Sequence, residues 1–150
     1  SGTAYFVFLG RVTATCTPQY VRFFVRTAGL GAQTAEAGLF SSTTAPNCGA
    51  LSMTKIESTG TLDALTSTGF KRNTSAFATS VAAGTYLWAG IRIAKATTQP
   101  ALFGLAFDLG AGQIQQTAGA SVLTGAGPWS GTVPSAANQT ESPMMVVTLD

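Results

Sequence analysis

Apolar and polar residues alternate with a period of two along most of this chain. That pattern predicts strands, because successive side chains of an extended backbone point to opposite faces. Residues 4 to 9, AYFVFL, form an apolar first strand. QYVRFFVRT then places Val21, Phe23 and Val25 on one face and Tyr20, Arg22, Phe24 and Arg26 on the other, the clearest half-buried strand in the sequence. Beyond the turn AGLGA, QTAEAGLFS sets Thr34, Glu36 and Gly38 against Ala35, Ala37 and Leu39. TTAPNCG reads as a loop, and ALSMTKIES puts Leu51, Met53 and the stem of Lys55 on one side.

The connector STGTLDALTSTGFKRN has room for one short strand, and SAFATSV leads through Ala82, Ala83 and Gly84 into the strand TYLWAGIRI. In that strand Leu87, Ala89, Ile91 and Ile93 alternate with Tyr86, Trp88, Gly90 and Arg92. QPALFGLAFDL aligns Phe103, Leu105 and Phe107 on one face, and MMVVTL (144–149) marks the closing strand expected over residues 144–150. Helical spacing is nearly absent, since Gly and β-branched residues interrupt every candidate. About eight short strands joined by Gly, Pro and Asn turns predict a single all-β domain over residues 1–150, an antiparallel β-sandwich of jelly-roll type. Residues 109–143 carry almost no charge and no strong strand pattern. They are expected to form a long loop or arm, with Ile114, Val122, Leu123 and Trp129 packing it on a neighbour.

Composition narrows the function. Only 9% of the 150 residues are charged, against an ordinary share of about 25%, so the surface is mostly neutral and hydroxylated. A surface with so little like-charge repulsion is expected to be covered by other polypeptides. The net charge of +2 comes from scattered Arg and Lys, which predicts no nucleic-acid partner and no membrane surface. The opening SGTAYFVFLGRV lacks the basic segment and the apolar length of a secretion signal, so synthesis in the cytoplasm is expected. Histidine is absent, which removes the commonest general base and neutral metal ligand. Glu36, Glu57, Asp63, Asp108, Glu141 and Asp150 show no paired spacing. Neither a nucleophile elbow nor a phosphate loop occurs, so no catalytic residue, metal or cofactor is expected. Cys16 and Cys48 read as two thiols or as one bridge. Asn73-Thr74-Ser75 and Asn138-Gln139-Thr140 match the glycosylation pattern by chance.

Tyr86, Trp88 and Arg92 are more than a solvated strand face requires. Three readings stay open: a strand buried on both faces, a subunit interface rich in aromatics and Arg, or a sugar-stacking platform. Trp129 poses the same choice. The expected interface residues are Arg22, Arg26, Tyr86, Trp88, Arg92 and Trp129, and a carbohydrate site would use Tyr86, Trp88 and Trp129.

QYVRFFVRTAG, AEAGLFSS, the connector through AAGTYLWAGIRIA and QPALFGLAFD together resemble the jelly-roll modules of tailed-bacteriophage structural proteins, over roughly residues 5 to 108. The segment 109–143 has no counterpart in that likeness. The resemblance implies a non-enzymatic virion protein, commonly a homotrimer. Such a protein decorates or cements the capsid by contact with copies of itself and with the major capsid protein or another virion protein, and it sits on the virion surface. The alternative is a receptor- or carbohydrate-binding module of a head or tail fibre that binds a host-surface glycan.

Overall fold

A computed structural model of the chain describes residues 2–31, 33–45, 51–94, 97–102, 104–106, 120–126, 132–138, 141–143 and 145–148. Their elements are β1 (Gly2–Arg11), β2 (Tyr20–Thr27), β3 (Thr34–Ser42), β4 (Leu51–Thr59), β5 (Gly69–Arg72) and β6 (Tyr86–Ala94). They continue with β7 (Ala101–Leu102), β8 (Gly104–Ala106), β9 (Ala120–Ala126), β10 (Thr132–Asn138), β11 (Glu141–Pro143) and β12 (Met145–Thr148). Every strand pair is antiparallel, and no helix occurs among the described residues.

The fold is an all-β sandwich, as the alternation predicts. Its larger sheet runs β1-β6-β3-β4-β10-β9 and closes on itself where β9 pairs with β1. The smaller sheet runs β12-β2-β5, with β7 also pairing to β2. The chain passes from one sheet to the other repeatedly: β1 in the large sheet, β2 in the small, β3 and β4 in the large, β5 in the small, β6 in the large, β12 in the small.

The described residues within 109–143 form strands where a loop or arm is expected. They supply β9 and β10, which pair with β1 and β4 of the same chain and so close the barrel, and β11, which pairs with β8. ASVLTGA and TVPSAAN carry little side-chain pattern, so they form strands because the edges of β1 and β4 present unpaired backbone groups that only another backbone satisfies. Residues 107–119, 127–131 and 139–140, and with them Trp129, lie outside the described residues, as does Cys48. Cys16 forms no disulfide.

Two cores follow from the alternation. Between the sheets pack Val21, Phe23 and Val25 of β2, Ala37 and Leu39 of β3, Leu87, Ala89, Ile91 and Ile93 of β6, and Met145 of β12. The other face of β6 looks into the barrel, where Trp88 joins Ala4, Phe6, Phe40 and Met53. Phe6 and Phe40 meet edge to face at 5.1 Å over Gly90, which stands opposite Phe6 on β1 and opposite Gly38 on β3. A Cβ on Gly90 would come within 2.7 Å of Phe40 Cε2 and 2.9 Å of Phe6 Cδ1, so only glycine leaves both rings their places.

Connections are fastened by side chains acting as backbone. Asn73 is fully buried: its Oδ1 accepts the Val21 N–H at 2.7 Å, and its Nδ2 donates to the Gln19 and Ser75 carbonyls. The first glycosylation match is therefore an internal clip that ties the end of β5 to the start of β2. Glu57 accepts the N–H groups of Ala78 and Thr79 at 3.0 and 2.8 Å, holding the segment before β6. Partial burial pushes the Glu57 carboxyl up. The Thr79 hydroxyl and the two N–H groups outweigh that effect and leave it below its ordinary value of 4.5.

Gly90→Ala is expected to overpack the barrel and destabilise the protein by about 1–3 kcal/mol in urea unfolding. An unchanged midpoint would show that the rings have room. The Glu57 carboxylate is lowered in the folded state, so its contribution is complete above pH 4.5 and is lost as pH falls through the folded value. Glu57→Gln is accordingly expected to flatten the acid side of the stability–pH curve below 4.5, whereas curves running parallel would remove Glu57 from the acid response.

Candidate interaction surface

The strand β2 divides its residues cleanly. Val21, Phe23 and Val25 turn into the core, and Tyr20, Arg22, Phe24 and Arg26 turn outward. Its partner β5 reads GFKR, and register places Phe70 opposite Phe24 and Arg72 opposite Arg22. Phe70 and Arg72 therefore share the outer face. Lys71 points the other way and is buried, with Nζ donating to Ser67 Oγ at 2.7 Å.

On this outer face Phe70 is 79% exposed and meets Phe24 edge to face at 5.1 Å and 84°. Beside that pair, the Arg72 guanidinium lies 4.4 Å from the centre of the Tyr20 ring and the Arg22 guanidinium 5.9 Å from it. Cation–π contacts of this kind hold a guanidinium in a fixed plane. Asp63 Oδ2 accepts the Arg72 N–H at 2.9 Å, which together with the Asn73 clip makes the strand ends rigid. A ring as exposed as Phe70 on a rigid open sheet, bordered by arginines, has the composition of a protein–protein contact.

The expected site residues separate. Arg22 and Arg26 stand on this face, Arg22 half-buried and Arg26 exposed. Trp88 and Arg92 do not. Trp88 is 1% exposed inside the barrel, against Phe8 at 5.1 Å, with Nε1 donating to Ser42 Oγ at 2.9 Å. Arg92 is 5% exposed, and its Nε donates to Glu36 Oε2 at 3.2 Å. The Ser58 hydroxyl donates to the other oxygen of the same carboxylate at 2.8 Å. Both residues are thus enclosed by their own chain, because β6 is a central strand with β1 and β3 on its flanks and the closed barrel on its second face. Tyr86 is half-buried at the barrel end, 6.4 Å from the Phe8 ring and with the Arg11 guanidinium 6.0 Å from its own. Trp129 lies outside the described residues. The barrel face and the small sheet's outer face belong to different sheets, so Trp88 and Arg92 do not stand beside Arg22 and Arg26.

Sequence reasoning placed Tyr20 and Phe24 on the outer face of their strand but gave them no role, and it passed over Phe70 and Arg72. The four residues GFKR are too few to show a period, and only the register with β2 reveals the patch. Three described carboxylates, Glu36, Glu57 and Asp63, all accept structural hydrogen bonds. Among the described residues no group of three or more Cys, Asp or Glu side chains is placed to hold a metal ion. No protein-family model, curated protein or solved structure matches the chain.

Glu36→Ala would leave the Arg92 guanidinium buried without its carboxylate and is expected to destabilise the protein by about 3–5 kcal/mol in denaturant unfolding. The Glu36→Leu, Arg92→Met pair is expected to recover most of that loss. A loss below about 1 kcal/mol in the single variant would place Arg92 in solvent, where exposed pairs contribute that little.

Proposed function

We propose that this protein is a non-enzymatic structural module that attaches to other polypeptides through the outer face of β12, β2 and β5. The observation that carries the reading is the exposed Phe70 on Phe24, beside the Arg72–Tyr20–Arg22 group. Aromatic and Arg side chains on a rigid support are the residues that dominate contact energies once water is excluded around them. A chain with 9% charged residues supplies little surface charge elsewhere to oppose association.

The setting that fits such a module is the surface of a virion, where it decorates or cements the capsid through contacts with its own copies, as a homotrimer, and with a shell protein. The resemblance of residues 5 to 108 to phage jelly-roll modules supports that setting, and so does the repeated passage of the chain between the two sheets. The sugar-binding alternative takes Tyr86, Trp88 and Trp129 as stacking platforms. Trp88 is enclosed, Tyr86 is half-buried beside Phe8, and Trp129 lies outside the described residues, so no described feature favours it.

Phe70→Ser combined with Arg72→Gln alters only the outer side chains of β5. This variant is expected to keep the wild-type melting temperature while its occupancy on particles stripped of the protein falls at least roughly tenfold, since each lost anchor contributes about 1–2 kcal/mol. Full occupancy by a folded variant would overturn the proposal.

A further inference from the structure

We infer that residues 74–80 form an acid-released strap over one side of the sandwich: proton uptake by Glu57 opens the strap while both sheets stay folded.

The strap, TSAFATS, joins β5 to the approach to β6 and forms no strand. It is tied to both sheets. The Phe77 N–H donates to the Gln19 carbonyl just before β2 at 3.0 Å, and Glu57 of β4 accepts the N–H groups of Ala78 and Thr79. Phe77 is 2% exposed and packs into the core with Leu65 and Val81, whereas residues 74–76 and 78–80 on either side of it are exposed. One ring and one carboxylate thus hold the middle of the strap. Its ends are fastened separately: the Thr74 N–H donates to the Thr61 carbonyl at 2.8 Å, the Ser75 carbonyl accepts from Asn73, and Val81 and Cys16 exchange two backbone hydrogen bonds. Opening between those ends breaks no strand pairing, so it is a local event.

Glu57 is the contact that pH changes. An ionised carboxylate only accepts hydrogen bonds and holds N–H donors strongly, while its protonated form accepts weakly and carries a donor of its own. The groups around it are neutral. Glu57 stands opposite Leu39 on the sandwich side of β3, whereas Lys55 stands opposite Phe40 on the barrel side and Glu36 stands opposite Arg92. The strap contains no charged residue, and among the described residues Glu57 has no ion-pair partner. Burial pushes its carboxyl up, and the Thr79 hydroxyl and the two N–H groups bring it below 4.5 in the closed strap. Closure is therefore fully favoured above pH 4.5 and is lost as pH falls through the closed-state value.

Amide hydrogen exchange of the full chain, corrected for the intrinsic pH dependence of exchange, tests this residue by residue. Protection of Phe77, Ala78 and Thr79 is expected to fall at least roughly tenfold between about pH 6 and pH 3, while that of Ala89 and Ile91 in β6 changes less than about twofold. Glu57→Gln is expected to abolish the step. Thr79→Val removes the hydroxyl contact and keeps the N–H, so it is expected to move the midpoint upward; it also serves as the test if Glu57→Gln does not fold. Protection lost together with that of β6 would overturn the strap, because the whole fold would then be yielding. No step in the unaltered chain, a step that survives Glu57→Gln, or a midpoint that Thr79→Val leaves in place or lowers would overturn it equally.

Discussion

Burial of β6 on both faces is the constraint on which the rest of the structure depends. A strand covered on one side alternates apolar with polar residues. A strand covered on two must make both sets fit, and β6 does so with different chemistry on each face. Leu87, Ala89, Ile91 and Ile93 give the sandwich core a smooth aliphatic surface. Trp88, Gly90 and Arg92 meet the barrel interior with one large ring, one gap and one charge. Each needs a specific partner: Ser42 for the indole N–H, the Phe6 and Phe40 rings for the gap, and Glu36, itself held by the Ser58 hydroxyl, for the guanidinium. The polar members of this set stabilise little in themselves, but the loss of any one leaves a buried group unsatisfied.

That arrangement has a consequence for function. The barrel face consumes the residues that look most like binding residues in the sequence, while the smaller sheet keeps an outer face with rings and arginines at its surface. The division follows from strand supply. β9 and β10 close the large sheet into a barrel that encloses the second face of β6. The proposed docking face is therefore carried by short elements held stiffly from behind, with Asn73 pinning the start of β2 and Asp63 the end of β5.

Much of the fold was legible in residue order. The inward triad Val21, Phe23 and Val25 and the two faces of β6 follow from period-two alternation, because each strand borders a core dense enough to demand it, and the closing strand β12 follows from a short apolar run. Cover was not legible. Alternation assigned Trp88 and Arg92 to one face correctly but could not say what lay over it, since β9 and β10 pair through backbone groups that leave almost no side-chain signature. The Glu36–Arg92 pair and the Asn73 clip escaped for a related reason: both depend on register between strands distant in sequence. The exposed patch was half visible, with Tyr20, Arg22, Phe24 and Arg26 in view and its other half in a four-residue strand.

The most direct test of this account is the solvent access of Trp88 in a Trp129→Phe chain, where it is the sole indole. The account predicts blue-shifted emission, resistant to acrylamide quenching and unchanged on dilution, because the ring is enclosed by its own chain. Red-shifted, freely quenched emission that moves to the blue only as protein concentration rises would contradict it, since the ring would then be buried by a second molecule.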